Sequence, residues 1–105
     1  MLSYKINTMY LKVHPTPDGG IAALCDAELI GRVLAGGKVR LDLGKHASFY
    51  RGEKATHGTA VAALRAAASA NVVGKKSLAA AADAGLDVKG AIMVSGVPHL
   101  QVYRI

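Results

Sequence analysis

The chain opens in strand-like alternation, runs through alanine-rich segments with helical spacing, and closes on two short apolar runs. Thr8 to His14 sets Met9, Leu11 and Val13 on one side and Tyr10 and Lys12 on the other, the pattern of a strand with one buried face. Pro15 to Gly20 is dense in turn residues, and Ile21 to Cys25 reads as the returning strand of a hairpin. Asp26 has a carboxylate suited to accept the free amides of a following turn, which predicts a short helical turn from Asp26 to Ile30, stopped by Gly31. Beyond a turn at Gly36-Gly37, Lys38 to Leu43 alternates cleanly: Val39, Leu41 and Leu43 face inward, Lys38, Arg40 and Asp42 outward. Gly44 to Glu53 lacks periodicity and reads as a loop carrying Phe49-Tyr50.

The helical signal is strongest from Lys54 to Ala70, capped near Thr56, where Val61, Leu64 and Ala68 fall on one face. Asn71 interrupts it. Gly74 to Ala84 predicts a second alanine-rich helix with Gly85 just past its end. Ala91 to Val94 and Leu100 to Ile105 then supply two closing strands around Gly96-Val97-Pro98. The expected fold is α+β: an N-terminal β-hairpin with further strands, two central alanine-rich helices and a C-terminal β-hairpin.

A length of 105 residues, about half of them apolar, fits one domain over 1–105 with a modest core. Cys25 is the single cysteine, so neither an internal disulfide nor a thiolate metal site is available; burial as a small hydrophobe accounts for it. No segment approaches the roughly 18 unbroken apolar residues of a membrane span, and the first residues lack the apolar core of a signal peptide. A cytoplasmic protein is expected.

Charge changes the picture because it is segregated. The net +6 arises between Lys38 and Lys76, where eight basic residues meet only Asp42 and Glu53. A localised excess of this kind suits a polyanionic partner, although a solvated basic surface has the same composition.

Within that stretch, Ser69 to Ser77 has the most chemical potential. Read as a corner between two helices, it puts Gly74, Lys75 and Lys76 at a helix start, where unpaired amides attract anions. It is not a phosphate-binding P-loop, since Ser69 stands at the first glycine position and Lys76 at that of the hydroxyl residue. Arg40, Lys45, Arg51 and Lys54 surround Phe49-Tyr50; Phe49 is expected in the core and Tyr50 at the surface, where it could stack a base. His14 and His99 each lie beside a proline, but two histidines do not make a metal site. No catalytic constellation, metal set or cofactor motif is present in the sequence.

Met9 to His14, Cys25 to Arg32, Phe49-Tyr50, Ser69 to Gly74 and Gly96 to Ile105, taken in that order, resemble the small archaeal family catalogued as domain of unknown function 424. The resemblance covers 9–105 and leaves 1–8 as an N-terminal extension. It implies a stand-alone archaeal cytoplasmic protein with a suspected link to translation, and it supplies no catalytic residues.

Two functions are therefore weighed. The first is a basic binding module for RNA or a ribonucleoprotein such as the ribosome, with Gly74, Lys75 and Lys76 holding phosphate and Arg40, Lys45, Arg51 and Lys54 extending the patch. The second is a small enzyme or ligand-binding protein with a pocket near Asn71, His99 and Gln101. A continuous basic face would favour the first; a concavity gathering His99 and Asn71, with Asp26, would favour the second.

Overall fold

The computed structural model describes residues 8–103, so most of the N-terminal extension and the last two residues lie outside the described part. Eight strands and three helices follow in the order β1 Met9–His14, β2 Ile21–Asp26, β3 Val33–Gly36, β4 Val39–Asp42, α1 Ala47–Tyr50, β5 Glu53–Ala55, α2 His57–Ala66, β6 Ser69–Val73, α3 Lys75–Asp83, β7 Ile92–Val94 and β8 Val97–Tyr103. The fold is α+β, with the N-terminal and C-terminal hairpins expected from the sequence.

Six strands form one sheet in the order β5-β1-β2-β6-β8-β7, and β3-β4 pair separately. Among the described residues only β2 and β6 run parallel; the other neighbours are antiparallel. The parallel pair requires a crossover, which α2 provides on one face. Strand period two then divides the side chains. Met9, Leu24, Val72 and Leu100 point to the face covered by α2 and α3, where Ala60, Leu64, Ala80 and Ala81 complete an apolar core. Ala23, Cys25 and Val73 point to the other face, where Leu34, Leu43 and Tyr50 cover them from the β3–β4 hairpin and α1.

Several boundaries differ from the sequence reading, each for a local reason. The predicted long helix stops at Ala66, and Ser69–Val73, expected as a helix–helix corner, is a central strand. Ser, Ala and Asn are poor strand formers, but pairing with β2 on one side and β8 on the other overrides that preference. Thr56 caps α2 as expected, its hydroxyl accepting the Thr59 amide. Gly85, at φ 89°, closes α3 by donating to Ala82, while Leu86 donates to Ala81. The closing hairpin turns at Ser95-Gly96, so Pro98 lies within β8 rather than in the turn. The loop expected over Gly44 to Glu53 contains α1 and the start of β5, and Val39, expected inward, is exposed.

Candidate functional site

The register of the sheet assembles the candidate residues into rows. Lys12, Ala23, Asn71 and Gln101 are successive cross-strand partners, and so share one face; Lys54, Tyr10, Cys25, Val73, His99 and Ile92 form the adjacent row on that face. The inserted β3–β4 hairpin and α1 cover the middle of these rows incompletely. Between the insert and the sheet lies a cavity of about 310 Å³, with Asn71, His99 and Gln101 on the sheet side and Leu41, His46, Phe49 and Tyr50 on the insert side. That volume is at the lower end of the roughly 300–1,000 Å³ of small-molecule sites.

A linked set of hydrogen bonds fixes the polar wall. The Tyr50 hydroxyl donates to Asn71 Oδ1 at 2.6 Å, and the same oxygen lies 3.1 Å from His99 Nε2. With Oδ1 accepting from both, His99 carries its proton on Nε2, which leaves Nδ1 with an acceptor lone pair. Burial holds His99 below its ordinary pKa, favouring the neutral ring. Burial, with a smaller effect from Cys25, pushes the Tyr50 hydroxyl upward, so it remains a donor. The Asn71 amide nitrogen is left to the cavity, and Gln101 stands exposed at its edge with both a donor and an acceptor.

The aromatic assignments reverse the sequence reading. Tyr50 is 3% exposed and belongs to the core, whereas Phe49 is only partly buried. His14 stacks on Phe49 with centroids 4.4 Å apart and its Nε2 lies 2.8 Å from the Phe49 carbonyl oxygen. Lys12 donates to the Ser48 carbonyl at 2.8 Å. These two contacts fasten α1 to β1 and set the cavity's outer wall. His14 and His99 thus serve different partners, and no group of three metal-ligating side chains occurs among the described residues. Cys25 is fully buried; desolvation, then the nearby Asp26 and Glu28, raise its thiol to about 12, which leaves it unreactive.

The segment expected to bind an anion is already occupied from within. Gly74 follows a strand and opens α3, but Asp26 Oδ2 accepts the Lys76 amide at 3.1 Å, and Oδ1 accepts the Ser77 amide and hydroxyl at 2.8 and 2.7 Å. Asp26 therefore caps a helix fifty positions later in the chain, not the turn that follows it, which has no side-chain cap. A Cβ on Gly74 would collide with that carboxylate, and its φ of 111° also favours glycine. Lys76 pairs with Glu28 at 3.3 Å, leaving Lys75 exposed beside a neutralised site. Asp26 is correspondingly absent from the Asn71–His99 cavity.

The other basic residues divide into two places. Arg40 lies on β4, 3.9 Å from Asp42, and Lys45 is exposed in the turn that precedes α1, its amide held by Asp42. Arg51 and Lys54 each stand 5.8 Å from the Tyr10 ring centroid at the opposite end of α1. Tyr10 and Lys12, the residues that complete this second cluster, were not singled out in the sequence; their place on the outward side of the first strand was the available signal. No helix among the described residues is long and apolar enough to cross a membrane.

Comparison with known proteins adds a family and a neighbour. The family model described as "Protein of unknown function (DUF424)" matches residues 14–105. Its match begins at the last residue of β1, whereas the strand, with Met9 fully buried, begins earlier. No curated protein matches the chain. A crystal structure of an uncharacterized conserved protein from Methanopyrus kandleri is similar at a TM-score of 0.78, with 28% identity over 92% of this chain and 91% of that one.

Proposed function

The chain belongs to the domain of unknown function 424 family, and from its geometry we propose that it is a binding protein whose ligand enters the cavity between the insert and the sheet. The observation that carries this reading is the convergence of Asn71, His99 and Gln101 on one concavity, with Asn71 Oδ1 held by the Tyr50 hydroxyl and by His99 Nε2. No Asp, Glu, Lys or Arg side chain lines it. The ligand part that enters is accordingly uncharged, with flat apolar surface for Leu41 and Phe49 and polar groups on its edge. A groove of similar size, about 320 Å³, runs beside β5, but it is lined by the charged Lys12, Glu53 and Lys54 beside Leu11 and Val13 and has no comparable bonded network.

An NMR screen of neutral planar amides and heteroaromatics tests the proposal. Binders should move the Asn71, His99 and Gln101 resonances, and Gln101→Leu should weaken them about 10-fold without altering the fold. Hits gathered at the β5 groove, with the cavity resonances unmoved, would sink it.

A second reading, binding of RNA or a ribonucleoprotein, is favoured by a separate observation: Lys12, Arg51 and Lys54 cluster around Tyr10 on the same sheet face as the cavity. This cluster, with Lys45 near the other end of α1, takes over the phosphate-holding role first expected of Gly74, Lys75 and Lys76.

A further inference from the structure

We infer that the cavity over Asn71, His99 and Gln101 receives a single unstacked nucleobase. The inference rests on the cavity being the binding site and deepens that reading by naming the ligand's chemistry. Three features of the site select a base over other neutral compounds.

The first is the order of hydrogen-bonding groups. The sheet side presents the Asn71 amide N–H as donor, the Gln101 amide as donor and acceptor, and His99 Nδ1 as acceptor. Asn71 and Gln101 are direct cross-strand partners, so their side chains leave the sheet side by side from Cα atoms about 5 Å apart. A planar ring with alternating donors and acceptors along one edge matches such a pair; an aliphatic alcohol or a hydrocarbon does not. Amide side chains pair with base edges in this bidentate manner.

The second feature is shape. Phe49, Leu41 and His46 line the cavity of about 310 Å³ together with the sheet residues, and His14 backs the Phe49 ring at an interplanar angle of 14°. Phe49 is thereby held in place without a side-chain entropy cost at binding, as base-stacking platforms require.

The third feature is the charge outside the cavity. Lys12 lies in the same row as Asn71, two strands away, or roughly 10 Å. Arg51 and Lys54 lie one strand or so beyond, around Tyr10. A neutral cavity with a cationic cluster along the same face suits a ligand with a neutral flat head and an anionic backbone. Free nucleosides and bases of a single strand share the head chemistry, and the test separates them.

The experiment titrates the full-length ¹⁵N-labelled chain with the four ribonucleosides, with ribose, with benzamide, and with short single-stranded and duplex RNA oligomers. At least one nucleoside or single-stranded oligomer should move the Asn71 and Gln101 side-chain amide signals, while ribose should not. Gln101→Ala, at an exposed position that leaves the fold intact, should weaken that binding about 10-fold, the scale of one bidentate base contact. If the natural source is a strand, the oligomer binds more tightly than its nucleoside and its affinity falls steeply with salt; if it is a free nucleoside, the two bind alike and salt matters little.

An oligomer that moves only Lys12, Arg51 and Lys54, and binds Gln101→Ala as well as the wild type, would overturn the base pocket and leave the polyanion reading. Benzamide in the cavity with no nucleoside or oligomer there would also overturn it, while keeping the cavity as the site. A cavity untouched by every probe would overturn both the base pocket and the proposed function.

Discussion

The two faces of the sheet are covered in opposite ways. On one, α2 and α3 with the residues that end them lay small side chains (Ala60, Ala67, Ala80, Ala81 and Ala84) against Ala22, Leu24, Ala70 and Val72, and the layer is apolar apart from the bonded Asp26–Ser77 pair. Small side chains let the helices approach closely, so the surfaces fit with little space. On the other face the cover is a two-stranded hairpin and a four-residue helix, fastened by Tyr50, Lys12 and His14 through hydrogen bonds. Both faces bury apolar side chains, but the second also leaves a concavity with polar groups already oriented. The proposed binding site thus lies on the side of the sheet away from the two long helices.

The largest expected difference between the faces is in truncation. Leu64→Ala, in the helix-covered core and 1% exposed, should cost about 2–5 kcal/mol. Leu41→Ala, on the cavity wall and only partly buried, should cost less than about 1 kcal/mol. Urea denaturation of the two variants measures this directly. Comparable losses would mean that the insert is as integral to the core as the helices are.

A step smaller is the joint between the sheet and α3. Asp26 ends β2 and its carboxylate caps α3 through two amides and one hydroxyl. Asp26→Ala should cost roughly 1–3 kcal/mol, since a charge-assisted cap is lost and buried donors are left without a partner. Gly74→Ala should be at least as damaging, because the new Cβ meets that carboxylate at a φ unfavourable to other residues. In contrast, Lys75→Glu should change thermal stability by no more than about 0.5 kcal/mol and should leave ligand affinity unchanged. A marked loss of binding in Lys75→Glu would restore the helix start as a functional site.

The same contrast explains what could be seen in the sequence. The helix face was legible: Val61, Leu64 and the alanine runs have a helical period, Thr56 and Gly85 mark true ends, and the first hairpin alternates as strands do. The open face was legible only in its residue types. Asn71, His99 and Gln101 were candidates for a pocket, and they do line one. Their neighbours in β6 hid the strand, since Ser69-Ala70-Asn71 continues the composition of the helix before it and only Val72-Val73 signals a sheet. Once β6 is a strand, Asn71 and Gln101 are obligatory partners, a fact that no spacing along the chain could contain. Likewise Asp26 was recognised as a cap, but the helix it serves is set by the fold, because α3 begins where β6 runs parallel to β2.

The smallest effect separates the faces by pH. Among the groups whose shifts are resolved, His99 is the one whose change falls near neutral pH, and it lies on the open face. Its folded pKa is depressed by burial below the 6.5 of a free histidine. Above that value both folded and unfolded chains carry a neutral ring, and the site's contribution to stability is complete. As pH falls through 6.5 toward the folded value, the unfolded chain takes up the proton first, so stability declines. Around the ring stand His46, Tyr50, Asn71 and Gln101, with no carboxylate lining the cavity to offset the charge. The melting temperature should therefore fall modestly between about pH 7.5 and about pH 5, and His99→Gln, which keeps a donor toward Asn71, should flatten that part of the curve. A bound base that donates to Nδ1 would hold the neutral ring in place and push the decline to lower pH. If wild type and His99→Gln lose stability in parallel over this window, the response belongs to other groups and the neutral His99 acceptor is not a property of the site.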